Sequence, residues 1–404
     1  MTIAQGVKKE LRYKVESAWA TAPGATGAQL LRRVESTLDL TKETYESQEI
    51  RPSMMVSDFR HGIQRVGGNI RGEYSPKTYA DFIAAILRRD FAAVSALTGL
   101  SITVAGSGPT YTLTRGSGSY LTDGVKVGDV VRLTAGSFAA PNLNKNLLVV
   151  TLTATVATVI VVNASTLTAE GPIASATLAV TGKKTFVPTT GHSDKSFAIE
   201  HWFSDINQSE LYLGCKPSAM DIGLPPTGLA TIDTTFMGKG RTRNTSAYYS
   251  SPTAVTATGI EAAVNGVLRI GGSSIVVCTG LSLRIEGGHS SAPVVGSNQV
   301  PAIFQGRVRG SGQFTVYFED ATLRDAFEDE TEISLIGVLT TSNIAAADFS
   351  TIVIPRIKVG GASKSDGEQG ILQTFPYTAL ENTSGGAGTD SEASCIVVQD
   401  SQAA

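Results

Sequence analysis

Residues 68–91 read GNIRGEYSPKTYADFIAAILRRDF. Gly68 and Gly72 punctuate an alternating segment, and Ser75-Pro76 turns the chain. Tyr79, Phe82, Ile83, Ile86 and Leu87 then recur at the three-and-four spacing of an amphipathic helix. The pattern predicts a strand over Val66–Tyr74 and a helix over Pro76–Asp90. Ser75 suits the N-cap, and Pro76 the first helical position, where its missing N–H costs nothing. A strand entering a helix through a short turn often frames an active site. This one contains no histidine, no cysteine and no glycine loop shaped for phosphate. A mechanical role is the simpler expectation.

The pattern returns at 308–339, VRGSGQFTVYFEDATLRDAFEDETEISLIGVL. Gly68–Tyr74 lines up with Gly312–Phe318. Tyr79, Asp81 and Phe82 match Leu323, Asp325 and Phe327 after a one-residue slip. Each copy has a Gly-led alternating strand, a turn of one or two residues and an amphipathic helix. The echo predicts a duplicated unit, set against the general likeness of all strand-to-helix turns.

On the N-terminal side, residues 1–30 form a polar, Ala/Gly-rich arm around Trp19 and Pro23. From Arg33 the chain alternates, with Val34, Ser36, Leu38 and Leu40 on one face and Glu35, Thr37, Asp39 and Thr41 on the other. That predicts a half-buried strand with an acidic outer face. TKETYESQEIRPSMMVSDFRHG (41–62) follows as a long loop or protruding hairpin.

Residues 99–184 are almost free of charge and carry SITVAG, TYTLTRG, VVRLTAG, LLVVTLTATVATVIVVN and ATLAVTG between turns. They predict a small β-barrel or sandwich inserted into a host domain made of 1–98 and 185–404, with N- and C-terminal arms. The host resumes with KSFAIEHWF, ELYLGCK, LATIDTTFMG and VLRIGGSSIVVCTGLSLRIEGG. Near the C-terminus, IPRIKVGGASKSDGEQGILQTFPYTALEN predicts a flexible loop over 361–370 and then a strand. Pro376 confines that strand to an edge or a bulge.

Composition narrows the function. Charged residues are 17%, below the roughly 25% usual for soluble domains, which suggests surfaces covered by partners. A net charge of −3 with dispersed Lys and Arg gives no footprint for wrapping nucleic acid. Cys215, Cys278 and Cys395 form no CxxC pair and read as free thiols of a reducing cytosol. The N-terminus has no apolar signal core, and no window suits a membrane span.

Enzyme signatures are missing. Gly182-Lys183-Lys184-Thr185 lacks the upstream glycine of a phosphate loop, and there is no GxSxG elbow. His192, Asp194, Glu200 and His201 cluster, but neighbours in a strand point to opposite faces, so no metal, cofactor or catalytic residue is expected. The acidic run 325–332 reads as a solvated helix end. A low-charge, strand-rich chain without chemistry fits a building block whose sheet edges recruit other chains.

Three segments carry a resemblance: TIAQGVKKELRYKVESAWATAPGATGAQLLRRVESTLDLTKETYESQEI, DFRHGIQRVGGNIRGEYSPKTYADFIAAILRRDF and IPRIKVGGASKSDGEQGILQTFPYTALEN. In these the chain resembles the major tail tube proteins of long, non-contractile-tailed bacteriophages. The resemblance implies a mainly β fold with flanking helices, a β-sandwich or barrel core, and the 99–184 module as decoration. It implies a non-enzymatic virion protein, made in the host cytoplasm and assembled into hexameric rings that stack as a hollow tube. Expected partners are other copies of itself, the tape-measure protein in the lumen, tail-tip and tail-terminator proteins, and viral DNA in passage. An acidic or neutral bore suits a sliding polyanion, which makes Glu35, Asp39 and Glu73 candidates to face the lumen. Thr41, Glu43, Tyr45 and Glu46, with Ser363, Lys364, Asp366 and Glu368, are candidates for contacts between rings. The alternative is a virion protein that binds surface glycans or receptors through 99–184. Tyr111, Tyr120 and Phe138 are few aromatics for such a platform.

Overall fold

The computed structural model describes residues 3–163, 165–274, 278–368 and 370–404. Residues 1–2 of the expected arm, 275–277 of the expected strand run and 369 of the expected loop lie outside them.

The chain opens with β1 (Lys9–Val15), β2 (Gln29–Leu30), β3 (Glu35–Ser36), β4 (Asp39–Glu46), β5 (Phe59–Glu73) and the helix α1 (Ala80–Leu87). The first correction concerns the arm. β1 is a strand between β2 and a later partner, with Leu11 and Tyr13 sealed in the core. The buried Glu16 carboxylate then staples the following loop. It accepts bonds from Ala20 N (2.8 Å), Ser196 Oγ (2.6 Å) and Gly214 N (2.8 Å).

The strand expected from Arg33 is broken. β3 and β4 both pair with β5, but Gly68 sits at φ +141°, where a Cβ would meet Thr37 O at 2.5 Å. The close approach turns the chain between them. Val34 is exposed and Leu38 buried, so they do not share a face.

α1 is shorter than its apolar stripe. Residues 76–79 are a turn, Tyr79 occupies the N-cap, and the Ser75 hydroxyl bonds Thr78 Oγ1 (2.7 Å) instead of capping. Arg88, in the left-handed region at φ 62°, ends the helix. The stripe itself is sealed. Phe82 meets Phe197 and Phe236 edge-on, at centroid distances of 5.0 and 5.1 Å. Phe82, Ile83, Ile86 and Leu87 are each worth about 1.5–3 kcal/mol of burial, enough to fix the helix on the sheet.

Next come β6 (Leu97–Ser107), β7 (Thr110–Arg115), β8 (Val130–Ala135), β9 (Leu147–Leu152), β10 (Val156–Val161) and β11 (Glu170–Val180). They close a barrel in the order β10-β7-β6-β11-β8-β9, which leaves no edge. Ile102, Leu113, Leu133, Val149 and Leu178 fill its interior. Val130, Leu148, Ile160 and Val162 point outward and pack on Ile336, Val338, Phe349, Val353 and Val397. Gln399 adds bonds from Val130 N (2.8 Å) and to Val130 O (3.0 Å). The near-continuous apolar runs LLVV and VIVV are thereby explained: both barrel faces are buried there.

β12 (Lys183–Phe186), β13 (Phe197–Phe203), β14 (Gln208–Leu224), β15 (Thr231–Gly238) and β16 (Gly240–Asn244) follow. Then come β17 (Val267–Ile270), β18 (Ser273–Ser274), β19 (Cys278–Glu286), β20 (Arg309–Tyr317) and the second helix α2 (Thr322–Glu328). β21 (Ile333–Thr340), β22 (Phe349–Val359), β23 (Ser363–Lys364), β24 (Leu372–Ala379) and β25 (Val397–Asp400) complete the chain. The long β14 belongs to two sheets. Its first half lies between β13 and β16, its second between β15 and β19. The main sheet runs β4-β5-β15-β14-β19-β20-β24-β22.

The C-terminus is no arm either. β25 is buried between β12 and β22. Pro376 lies where β24 passes from β22 to β23; its carbonyl accepts a bond from Gly360 N (2.7 Å), and its missing N–H falls in the gap between the two ladders. The second strand–helix copy differs from the first. Residues 318–321 separate β20 from α2, and α2 has no buried side chain. With only Leu323 and Phe327 as large apolar residues, it lacks the four-residue stripe that seals α1.

Candidate assembly surface

One face of the main sheet is sealed by Ile70, Ile232, Ile222, Leu283, Phe314, Phe375 and Tyr377. The register dictates the other face. Glu35, Arg71, Asp233, Asp221, Arg284, Ser311, Thr378 and Lys358 are successive cross-strand partners in one row. All eight are exposed or half-buried. Glu73 lies two residues from Arg71, and Asp39 opposes Gly67, four residues from Arg71, so both share this face. The structure thus brings Glu35, Asp39 and Glu73 together. It also adds cations. Arg284 bonds Asp221 Oδ2 (2.6 Å) and Glu286 Oε1 (2.8 Å), and Arg241 holds Asp39 Oδ1 (2.8 Å). The face is a mixed, ion-paired surface and not a purely acidic one. Sequence reasoning missed Arg71, Asp221, Asp233 and Arg284. The signal was present as the lone polar residues of the alternating stretches MDIGL, TIDTTF and LSLRIE.

The ring-contact candidates divide into two groups. Thr41, Glu43, Tyr45 and Glu46 lie on β4, at one lateral end of the main sheet. Ser363 and Lys364 form β23 at the other end, and Asp366 and Glu368 follow in its loop. All eight are exposed, and the structure does not bring the two groups together. Between β4 and β5 the hairpin projects beyond Val66, the last residue of β5 that pairs with β15. Its tip is apolar. Ile50 is 101% and Met54 96% exposed, and Met55 and Val56 are also in solvent. The pairs Arg51–Glu49 (2.7 Å) and Arg60–Asp58 (2.8 Å) flank it. A cluster of bare apolar side chains on a monomer marks a contact surface.

Glu200 and His201 are both buried, on opposite faces of β13. Glu200 accepts bonds from Ser209 Oγ (2.6 Å), Tyr248 N (2.5 Å) and Tyr249 N (3.2 Å), and faces Arg12 at 3.6 Å. His201 Nε2 shares a hydrogen with Ser36 Oγ (2.9 Å), and its ring meets Tyr212 edge-on. These contacts tie β13 to the elements around it.

Burial, with Lys9, Arg33 and Arg241 nearby, pushes the His201 pKa from the ordinary 6.5 down to about 2. The unfolded chain therefore binds one more proton between these values. Stability falls as pH drops below 6.5, by about 1.4 kcal/mol per unit for this group. Asp400, raised by burial to about 6, works in the opposite direction, since its folded form favours the proton. Comparing parent with His201→Gln isolates the histidine. Urea midpoints measured from pH 7 to pH 4 are expected to fall less steeply in the variant, and parallel profiles would refute the assignment.

A mainly β chain with a polar sheet face, lateral edges that have no partner strand among the described residues and an apolar hairpin tip is built for assembly. The chain matches the family model described as phage tail tube protein over residues 6–379, so it belongs to the phage tail tube family. It is a structural protein of the virion tail. No curated protein matches the chain.

Proposed function

We propose that copies of this chain join edge to edge into closed rings, and that the rings stack into a conduit for viral DNA. The observation that carries this reading is the open polar face, continuous across the main sheet and ending at both sides in strand edges that have no partner among the described residues. Glu35, Asp39 and Glu73 face the bore. Paired charges with an acidic excess give a polyanion no array of phosphate contacts, so DNA slides through. The hairpin tip reaches the neighbouring ring, and β4 and the 363–368 segment contact neighbouring copies. The tape-measure protein fills the lumen before ejection, and tail-tip and tail-terminator proteins cap the ends. The 97–180 barrel decorates the tube while shielding Ile336, Val338 and Phe349 of the wall.

Negative-stain electron microscopy of the purified protein, fresh and concentrated, with and without tail-tip complexes, tests this. Hollow tubes or stacked rings with a regular axial repeat are expected. Particles that stay single even with tail-tip complexes would sink the proposal.

A further inference from the structure

The two halves of the chain repeat one another strand for strand. β1 pairs with β2 and β13, as β17 pairs with β18 and β21. β5 lies between β4 and β15, as β20 lies between β19 and β24. β14 has β13 on one side and β15 then β16 on the other. β22 has β21 on one side and β24 then β25 on the other. A helix follows the equivalent strand in each half, α1 after β5 and α2 after β20. The barrel occupies the α1–β13 connection, whose counterpart is residues 329–332.

The halves are joined where β14 meets β19. Ala219–Leu224 runs antiparallel to Leu281–Glu286, and the Asp221–Arg284 pair (2.6 Å) crosses the joint on the open face. The counterpart of β14 is β22, continued by β23. The counterpart of β19 is β4. Among the described residues, no strand lies along the outer side of 358–364 or of β4. Each bare edge is what the β14–β19 joint would leave if it were pulled apart.

We infer that β4 of one copy pairs antiparallel with the 358–364 edge of the next, repeating between chains the joint that links the halves within each chain. The partner is therefore a second copy. The balance of charge agrees: Lys358 and Lys364 lie on one edge, and on the other Asp39, Glu43 and Glu46 outnumber Lys42. Lys358 stands in the same cross-strand row as Asp221, so a pair between Lys358 and an acidic residue of β4 would have the signs of Asp221–Arg284 reversed. The contact is heterologous, and such contacts make rings when the rotation closes. Each chain then supplies two wedges, so a ring holds half as many chains as wedges. Six wedges are closed by three chains. This inference rests on the tube reading for closure into a ring and for the count of six wedges.

The test uses the full chain carrying Lys358→Cys with Asp39→Cys, and separately Lys358→Cys with Glu43→Cys, oxidised after assembly. Each single variant serves as control, and micrographs are taken of the same samples. A disulfide-linked ladder that ends at three chains is expected for at least one pair, with none in the controls. A ladder that ends at six chains would overturn the two-wedge count. Rings in micrographs without cross-links in either pair would overturn the joint and leave the tube reading intact. Neither rings nor cross-links would overturn both. In a second measurement, Lys358→Glu with Lys364→Glu is expected to lower the yield of rings at least tenfold. Adding Asp39→Lys and Glu43→Lys should restore it, and loss without rescue counts against the joint.

Discussion

A chain carrying Ile50→Ser, Met54→Ser, Met55→Ser and Val56→Ser is expected to remain folded, with an unchanged melting temperature, and to form no tubes. These side chains are exposed in the monomer, so their removal takes little from folding. Surface changes of this kind usually stay within about 0.5 kcal/mol. In the proposed tube the neighbouring ring covers the same side chains, and each is worth about 1.5–3 kcal/mol when fully buried. Because the contact repeats once per copy at every ring interface, the loss accumulates along the tube. Electron microscopy and light scattering read the assembly, and thermal melts read the fold. Tubes formed by the variant at the parent's concentration would remove the hairpin tip from the ring-to-ring contact.

The second large effect concerns Glu200, which lies in the subunit interior. Glu200→Leu is expected to destabilise the chain by about 3–5 kcal/mol, the range seen when one partner of a buried ion pair is removed. The carboxylate satisfies Ser209 Oγ, Tyr248 N and Tyr249 N and faces the buried Arg12 guanidinium. Leucine takes this acceptor from Ser209 Oγ, Tyr248 N and Tyr249 N, while Arg12 keeps Glu10 Oε2 and Tyr249 O. Glu200→Gln retains one acceptor oxygen and is expected to lose markedly less. Urea midpoints rank parent, Gln and Leu in that order. A Leu variant as stable as the parent would show that water or other groups satisfy those donors.

The opening stretch was legible because it depends on local chemistry. Alternation around Ile70 and the Tyr79–Leu87 stripe each follow from the periodicity of one element. The helix ends were misjudged because Ser75 bonds Thr78 and not the helix backbone, a choice set by packing around Thr256 and Thr258. The termini were misjudged for a different reason. Polar residues such as Glu16, Gln399 and Asp400 read as solvent-facing in a linear pattern. Their partners, Gly214, Val130 and Lys77, lie 198, 269 and 323 residues away. Of the bore candidates, the acidic residues stood out as charges in alternating stretches. Their cationic neighbours were hidden because a row across a sheet is not contiguous in sequence.

The sequence by itself determined that the chain is mainly β, that residues 99–184 carry strands of their own, and that a strand–helix unit occurs twice. Each of these is a matter of periodicity, turn residues and composition, which act over a few neighbours. Only the tertiary structure decided which strands pair. It placed Glu35, Asp39 and Glu73 on one ion-paired face, sent the ring-contact candidates to opposite edges, and set β14 against β19. Pairing order is settled by the burial of side chains hundreds of residues apart, and a linear pattern does not record which apolar face meets which.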